Sequence, residues 1–180
     1  RLKSIGVNFE ESDPKVKKLL EEVKDREFIG YSYDGADASF ELLARRIMGE
    51  IPRYILIKEY DVSVKKDTSG NIISSAKAQL QVDNKLILCE GEGNGPVHAL
   101  DSAIRNNVDK LAKYSNYLKD LRLVDYKVRI LNTGTEAVTR VSIESTDSKG
   151  KNWFTIGVSE NIIEASFKAL VDSLDYKLFK

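Results

Sequence analysis

The chain has 180 residues, of which 42% are hydrophobic and 31% charged, and its 28 basic residues balance 28 acidic ones. This composition is typical of a globular protein with no net field that would attract nucleic acid or an acidic membrane, and no apolar run has membrane-spanning length. A single cysteine, Cys89, excludes an intrachain disulfide framework and a multi-cysteine zinc site, and it suits a reducing cytoplasm. Because the chain begins at Arg1 without a methionine, we expect it to be part of a longer protein.

Residues 1–52 predict a small helical linker subdomain. Asp13-Pro14 supplies a cap and a first helical residue, and an apolar stripe follows at Val16, Leu19, Leu20 and Val23. A second helix is indicated by the shared face of Phe40, Leu43, Ala44 and Ile47. Two short helices cannot bury a core of their own, so we expect this segment to pack on a neighbouring domain.

From residue 53 the apolar period changes to two, which predicts strands. Tyr60, Val62 and Val64 alternate with polar residues in the first strand, as do Ala76, Ala78, Leu80 and Val82 in the second. Turn signals at 68–71 and 83–84 indicate antiparallel hairpins. The run Leu86-Ile87-Leu88-Cys89 predicts a third, more fully buried strand.

A glycine-rich turn is expected next, at Gly91, Gly93 and Gly95. Its glycines permit positive φ and close backbone approach, and Pro96 is suited to the first position of a helix. The helix carries one apolar stripe, formed by Val97, Leu100, Ile104, Val108 and Leu111.

The pattern recurs after 66 positions. In this repeat Gly157 corresponds to Gly91, Ala165 corresponds to Ala99, and Tyr126 corresponds to Tyr60. In the second copy a turn is predicted at Asn132-Thr133-Gly134, and the glycine loop is replaced by 158–161, where Asn161 precedes Glu164 by three residues as in a capping box. We therefore predict an α+β fold of duplicated β-β-β-α units with antiparallel sheets and two helices, divided as 53–118 and 119–180.

Sites for catalysis or metal binding are not indicated. His98 is the sole histidine, and Cys89 is best interpreted as a small buried hydrophobe. The glycines lack the lysine and hydroxyl of a phosphate loop, and no carboxylate pair is marked as general acid and base. What remains is a helix N-terminus with free N–H groups, which suits a carboxylate ligand. A tight strand-to-helix turn without a ligand explains the same glycines equally well.

Three stretches carry a resemblance to a known family. They are 91–104, 124–130 and 153–176, and together they resemble the C-terminal allosteric domain of the 2-isopropylmalate synthase and citramalate synthase family, over about 54–178. The preceding 30–46 resembles the linker of the citramalate synthase branch. The resemblance implies a parent enzyme that condenses acetyl-CoA with pyruvate on the route to isoleucine, using a divalent metal in a TIM barrel that this chain lacks. It implies no catalytic residue or cofactor in this chain. It also implies that the domain forms a homodimer, which binds a branched-chain amino acid near the subunit interface.

The implied effector needs donors, an acceptor and an apolar wall. We expect donors from the backbone of Val97 and His98, after Gly95 and Pro96, and an ammonium partner in Asp61. The wall is assigned to Tyr60, Leu80, Val97 and Leu100, completed by Ile162 and Ile163 of the other repeat or subunit. Two alternatives remain: an isopropylmalate-type domain with leucine as effector, and a dimerisation module without ligand.

Overall fold

The computed structural model describes residues 1–131 and 137–180, so the turn predicted at Asn132-Thr133-Gly134 lies outside the described residues. The helices are α1 (Pro14–Phe28), α2 (Asp37–Met48), α3 (Pro96–Asn106), α4 (Ser115–Leu118) and α5 (Ile162–Phe179), with 3₁₀ turns at Lys3–Ile5 and Val108–Tyr114. The strands are β1 (Leu56–Lys66), β2 (Ile72–Val82), β3 (Lys85–Gly93), β4 (Arg122–Ile130), β5 (Thr139–Thr146) and β6 (Asn152–Ser159). The predicted α+β fold with two antiparallel three-stranded sheets is confirmed.

The chain divides into two compact units. Residues 54–121 form the first-repeat unit, and residues 1–53 together with 122–180 form the second-repeat unit. The boundaries between the two units lie close to the predicted boundaries at 52/53 and 118/119. The N-terminal helical segment belongs to the same compact unit as the second repeat. The predicted division into linker and regulatory domains stays a prediction.

In the first-repeat unit, β2 is the central strand between β1 and β3. The predicted hairpin turn at Asp83-Asn84 is present, and both residues have the positive φ that a tight two-residue turn requires. Alternate residues of β2 face α3 and are buried; they are Ser74, Ala76, Ala78, Leu80 and Val82. The period-two pattern of the sequence therefore marks the core side of this sheet.

The third strand differs from its prediction. Leu86 and Leu88 are 61% and 56% exposed, whereas Cys89 is completely buried. The strand therefore alternates between a covered and an open face, because α3 covers one side of the sheet. The apolar run predicted a more fully buried strand, and that expectation was wrong.

The glycines of β3 serve close packing rather than a turn. Gly91 and Gly93 lie within β3, and neither they nor Gly95 have positive φ. A Cβ at Gly93 would lie 2.7 Å from the Ala99 nitrogen, and one at Gly91 would lie 2.6 Å from the Ala103 Cα. These glycines let α3 lie directly on β3, which corrects the expectation of a glycine-rich loop.

The helix α3 is shorter than its predicted stripe. It ends at Asn106, and the side-chain amide of Asn107 donates to the Ala103 carbonyl at 2.7 Å. The predicted stripe residues Val108 and Leu111 are still buried, but they lie in the following 3₁₀ turn.

In the second-repeat unit, β5 is central and α5 lies on β5 and β6. Gly157 repeats the role of Gly91, since a Cβ there would lie 2.8 Å from the Ala169 nitrogen. The 66-residue repeat therefore preserves the place where each helix meets its sheet.

The N-terminal helices share a core with this second sheet. The predicted start of α1 is confirmed, because the Asp13 side chain accepts from the Lys15 N–H at 2.8 Å. The shared core cluster contains Leu19, Tyr33, Ala36, Phe40, Leu43, Ala44 and Ile156. Leu20 was expected in the same stripe but is 55% exposed, because α1 contributes only a narrow face. Among the described residues no helix has the length and apolarity needed to cross a membrane.

Candidate functional site

The start of α3 offers unused hydrogen-bond donors. Gly95 is the N-cap, with extended φ and ψ of −148° and 169°, and no described side chain caps this end. The first backbone bond runs from the Ala99 N–H to the Gly95 carbonyl at 2.9 Å. The N–H groups of Val97 and His98 therefore precede the intrahelical ladder, and Pro96 has none. Both donors sit at the positive end of the helix dipole, where an anion is stabilised.

His98 holds the turn that leads into this helix. Its Nδ1 accepts a 3.2 Å hydrogen bond from the backbone N–H of Asn94. This places the proton of the neutral imidazole on Nε2. A Cβ at Gly93 would lie 2.7 Å from the His98 Cγ, so the ring lies against the end of β3. Its backbone N–H was predicted as a ligand donor, and its side chain has a structural role in the turn.

The start of α5 is chemically different from that of α3. Asn161 is the N-cap, and its side-chain oxygen accepts from the N–H groups of Ile163 at 2.8 Å and Glu164 at 3.2 Å. The capping predicted from the sequence is therefore present. Because the chain itself occupies these donors, the two repeats present unequal helix starts.

Ser74 is a polar residue that the sequence analysis did not identify. It is fully buried on the α3 side of β2, and its hydroxyl has no hydrogen-bond partner among the described residues. It occupies an apolar position in the period-two pattern of β2, and that mismatch was the available signal. It lies opposite Gly93 in the register, at the end of the sheet where α3 begins.

The predicted ammonium partner lies on the other face of the first sheet. Tyr60 pairs with Ala78 on the face that α3 covers, whereas Asp61 pairs with Lys77. Successive residues of a strand point to opposite faces. Asp61 therefore does not share a face with Tyr60 or with the start of α3 within the first-repeat unit.

Two predicted wall residues are core residues. Leu80 and Leu100 are both completely buried. Leu80 is six residues along β2 from Ser74, which is roughly 20 Å in a strand. It therefore lies far from the start of α3, whereas Val64, opposite Ser74, is 57% exposed. Tyr60 is 37% exposed and Val97 is partly exposed.

The remaining predicted residues lie at the start of α5. Ile162 is exposed and Ile163 partly buried in the second-repeat unit. Tyr126, the counterpart of Tyr60, forms a 2.8 Å hydrogen bond with Ser166, which donates to the Ile162 carbonyl at 2.6 Å. Position 100 in the first repeat is a leucine, so the first helix has no counterpart of this bond.

Metal and thiol chemistry find no support in the described residues. Within 1–131 and 137–180, no three His, Cys, Asp or Glu side chains are grouped to hold a metal ion. Burial raises the pKa of the Cys89 thiol, which keeps it protonated and unreactive.

A buried ionic cluster joins α2 to α5 and was missed by the sequence analysis. Arg46 donates to Asp172 at 3.2 Å and to Asp175 at 2.7 Å. The Ser39 hydroxyl donates to Asp172 at 2.8 Å and accepts from the Ile156 N–H at 3.0 Å. Burial raises the pKa of Asp172, and the nearby Arg46 guanidinium opposes that rise.

Comparison with known proteins identifies relatives of the whole chain. A family model described as the LeuA allosteric (dimerisation) domain matches residues 34–178. The chain is 44% identical to an (R)-citramalate synthase of Aquifex aeolicus and 39% identical to one of Geobacter sulfurreducens, and each match covers all of this chain and 34% of the relative. A 2-isopropylmalate synthase of Clostridium acetobutylicum is 36% identical over 106 residues, which cover 58% of this chain and 17% of that protein. The chain thus spans about a third of the length of the citramalate synthases it matches.

Proposed function

The chain belongs to the LeuA allosteric (dimerisation) domain family, and from that premise we propose that it is the regulatory part of an (R)-citramalate synthase. The parent enzyme would condense acetyl-CoA with pyruvate with the help of a divalent metal, in the cytoplasm. The described residues form two three-stranded sheets with helices, and the catalytic barrel of such an enzyme is not part of this chain. The chain is therefore expected to show no thiol release from acetyl-CoA and pyruvate, even with manganese or magnesium added.

The effector of this domain is proposed to be a branched-chain amino acid, with isoleucine as the first choice. The observation that carries the proposal is the unequal start of the two helices. The Asn161 side chain takes the donors of α5, whereas Gly95 leaves those of Val97 and His98 available to a carboxylate. The exposed Val64 and the partly exposed Val97 supply apolar surface in the first-repeat unit for a branched side chain.

Two other functions are supported by particular observations. The match to a 2-isopropylmalate synthase supports leucine as the effector, and a hydrophobic pocket distinguishes leucine from isoleucine by only about 1–3 kcal/mol. The close packing of Gly91 and Gly93 against α3 supports a dimerisation module without ligand, because it explains two of the three glycines without an effector.

Calorimetric titration of the full chain with isoleucine, leucine and valine separates these functions. Selective binding of isoleucine supports the citramalate synthase assignment, and selective binding of leucine supports the isopropylmalate alternative. Binding of none of the three leaves the dimerisation module and overturns the effector proposal.

A matched variant tests where the ligand binds. Gly95→Asn gives α3 the same cap that Asn161 gives α5, and the extended backbone at Gly95 suits an asparagine cap. A Cβ at Gly95 meets no atom of residues 1–131 or 137–180 within 4 Å. The variant should raise the midpoint of thermal unfolding slightly and weaken amino-acid binding, since its side chain competes for the same donors. Unchanged affinity in this variant would place the effector elsewhere.

A further inference from the structure

We propose that the buried hydroxyl of Ser74 donates a hydrogen bond to the carboxylate of the amino acid bound at the start of α3. The inference rests on the proposed function and assigns a side chain to a site built otherwise from backbone groups. Its basis is that Ser74 is completely buried and that its hydroxyl finds no partner in the part of the chain that the structure describes. Buried hydroxyls in native proteins nearly always have a partner, so an unpaired one requires an explanation.

The sheet register places this hydroxyl beneath the helix start. Ser74 lies directly opposite Gly93 in β3, and opposing residues have Cβ positions about 5 Å apart. The Cβ position of Gly93 is in turn 2.7 Å from the Ala99 nitrogen and from the His98 Cγ. Ser74 therefore faces the first turn of α3, which carries the two free N–H groups.

Ser74 has an exposed neighbour on the side of β1. This neighbour is Val64, which lies opposite it on an edge strand whose residues are mostly exposed. Because Val64 is 57% exposed, a ligand that displaces it sideways reaches both the hydroxyl and the helix start. The same valine then contacts the branched side chain of the ligand.

The donor set defines the chemistry of the ligand. The proposed site has three hydrogen-bond donors, which are the N–H groups of Val97 and His98 and the hydroxyl of Ser74. A carboxylate accepts three such bonds, and bonds to an ionised acceptor are the strong ones. Inorganic phosphate also accepts hydrogen bonds through ionised oxygens, so its binding must be measured separately from that of the amino acids.

The repeat provides the conservative replacement. Ser74 is two residues before Ala76, which pairs with Gly91, and Thr139 is two residues before Val141, which pairs with Gly157. Threonine thus occupies the equivalent place in the second sheet. Ser74→Thr keeps the hydroxyl. Ser74→Val introduces a side chain of nearly the same shape as threonine but without the hydroxyl.

The experiment measures the affinity for isoleucine, leucine, valine and inorganic phosphate together with the thermal unfolding of the free chain. Ser74→Ala and Ser74→Val should weaken binding of the preferred amino acid by about ten-fold or more, whereas Ser74→Thr should retain it. The free Ser74→Ala chain should unfold at the same or a higher temperature, because the substitution removes an unpaired buried polar group. Ser75→Ala is the control, since Ser75 lies on the opposite face of the same strand.

The outcomes separate this inference from the proposed function. A wild-type chain that binds none of the amino acids overturns both. A wild-type chain that binds one of them, with Ser74→Ala and Ser74→Val binding equally well, overturns only the role of Ser74. A lower unfolding temperature for Ser74→Ala with unchanged affinity makes the hydroxyl structural. Preference for phosphate over every amino acid overturns the assignment of the ligand as an amino-acid carboxylate.

Discussion

Arg46 of α2 donates a 2.7 Å hydrogen bond to Asp175 of α5, whose side chain is completely buried. The same guanidinium contacts Asp172 at 3.2 Å, so one cation serves two carboxylates of low exposure. The N-terminal segment is thereby held to α5 by charge as well as by apolar packing.

Removal of this cation should destabilise the second-repeat unit strongly. Arg46→Ala removes the guanidinium that bonds both carboxylates, and breaking such a buried ion pair typically costs about 3–5 kcal/mol. Urea unfolding followed by circular dichroism measures the loss. Lys17→Ala breaks an exposed pair with Glu21 at 4.0 Å and should cost at most about 1 kcal/mol. Equal effects of the two substitutions would contradict the importance of the buried cluster.

The second-repeat unit should become less stable at low pH because the carboxylate of Asp147 becomes protonated. Lys177 donates to this carboxylate at 2.6 Å, and this hydrogen bond lowers the pKa of Asp147. Because the folded pKa lies below the unfolded value of about 3.9, the contribution is fully present above pH 4 and is lost as pH falls through the folded pKa. Asp147→Asn should therefore cost about 1.5–3 kcal/mol at pH 7 and progressively less below pH 4. A difference that is constant with pH in urea unfolding would exclude this linkage.

The contact of Gly157 with α5 should not tolerate a methyl group. Gly157→Ala places a Cβ against the Ala165 carbonyl and 2.8 Å from the Ala169 nitrogen, both of them backbone atoms. We expect a loss of about 1–3 kcal/mol or more, since the helix must move off the sheet. Gly95→Ala is the comparison, because its Cβ meets no described atom within 4 Å and its φ is negative. Thermal unfolding of the two variants should differ clearly; similar midpoints would mean that α5 adjusts freely.

The apolar residues on the edge strand β4 predict a homodimer. Val128 and Ile130 are 41% and 64% exposed on the helix-bearing face of the second sheet. Such surface is normally covered by a partner. Sedimentation should show a dimer that Ile130→Lys weakens, while Phe28→Lys at the end of α1 leaves it intact. A monomeric wild-type chain at tens of micromolar would remove the basis for this prediction.

A bulky residue at the N-cap of α3 should uncouple the parent enzyme from its effector. Gly95→Val fits the extended backbone there and leaves the fold intact, but it obstructs the approach of a carboxylate to the Val97 and His98 amides. The full-length parent should keep its activity and lose feedback inhibition, since coupling of about 1–3 kcal/mol depends on differential ligand contacts. Inhibition that persists with unchanged isoleucine affinity would place the effector outside this helix start.

Local chemistry was sufficient for the type of the main elements and for several of their ends. The hairpin turn at Asp83-Asn84 needs positive φ, Pro96 is compatible with the first residue of a helix, and the Asn161 side chain reaches the first amides of its own helix. Each of these is decided within a few residues of chain. The 66-residue repeat then predicted that both halves would share one architecture, and the two sheets agree.

Burial depended on distant segments, and there the sequence was insufficient. Asp175 and Glu41 look like solvated surface charges, yet both are buried where α2 meets α5. Leu86 and Leu88 look like core residues, yet they lie on an open face of the first sheet. The unpaired hydroxyl of Ser74 and the placement of Asp61 on the opposite face from Tyr60 likewise follow from register and from the side on which α3 lies. The sequence by itself determined the elements, the duplication and the family, because propensity, capping and repeat spacing are properties of neighbouring residues. The tertiary structure alone decided which faces are covered and which polar groups lack partners, because both depend on contacts between residues far apart in the chain.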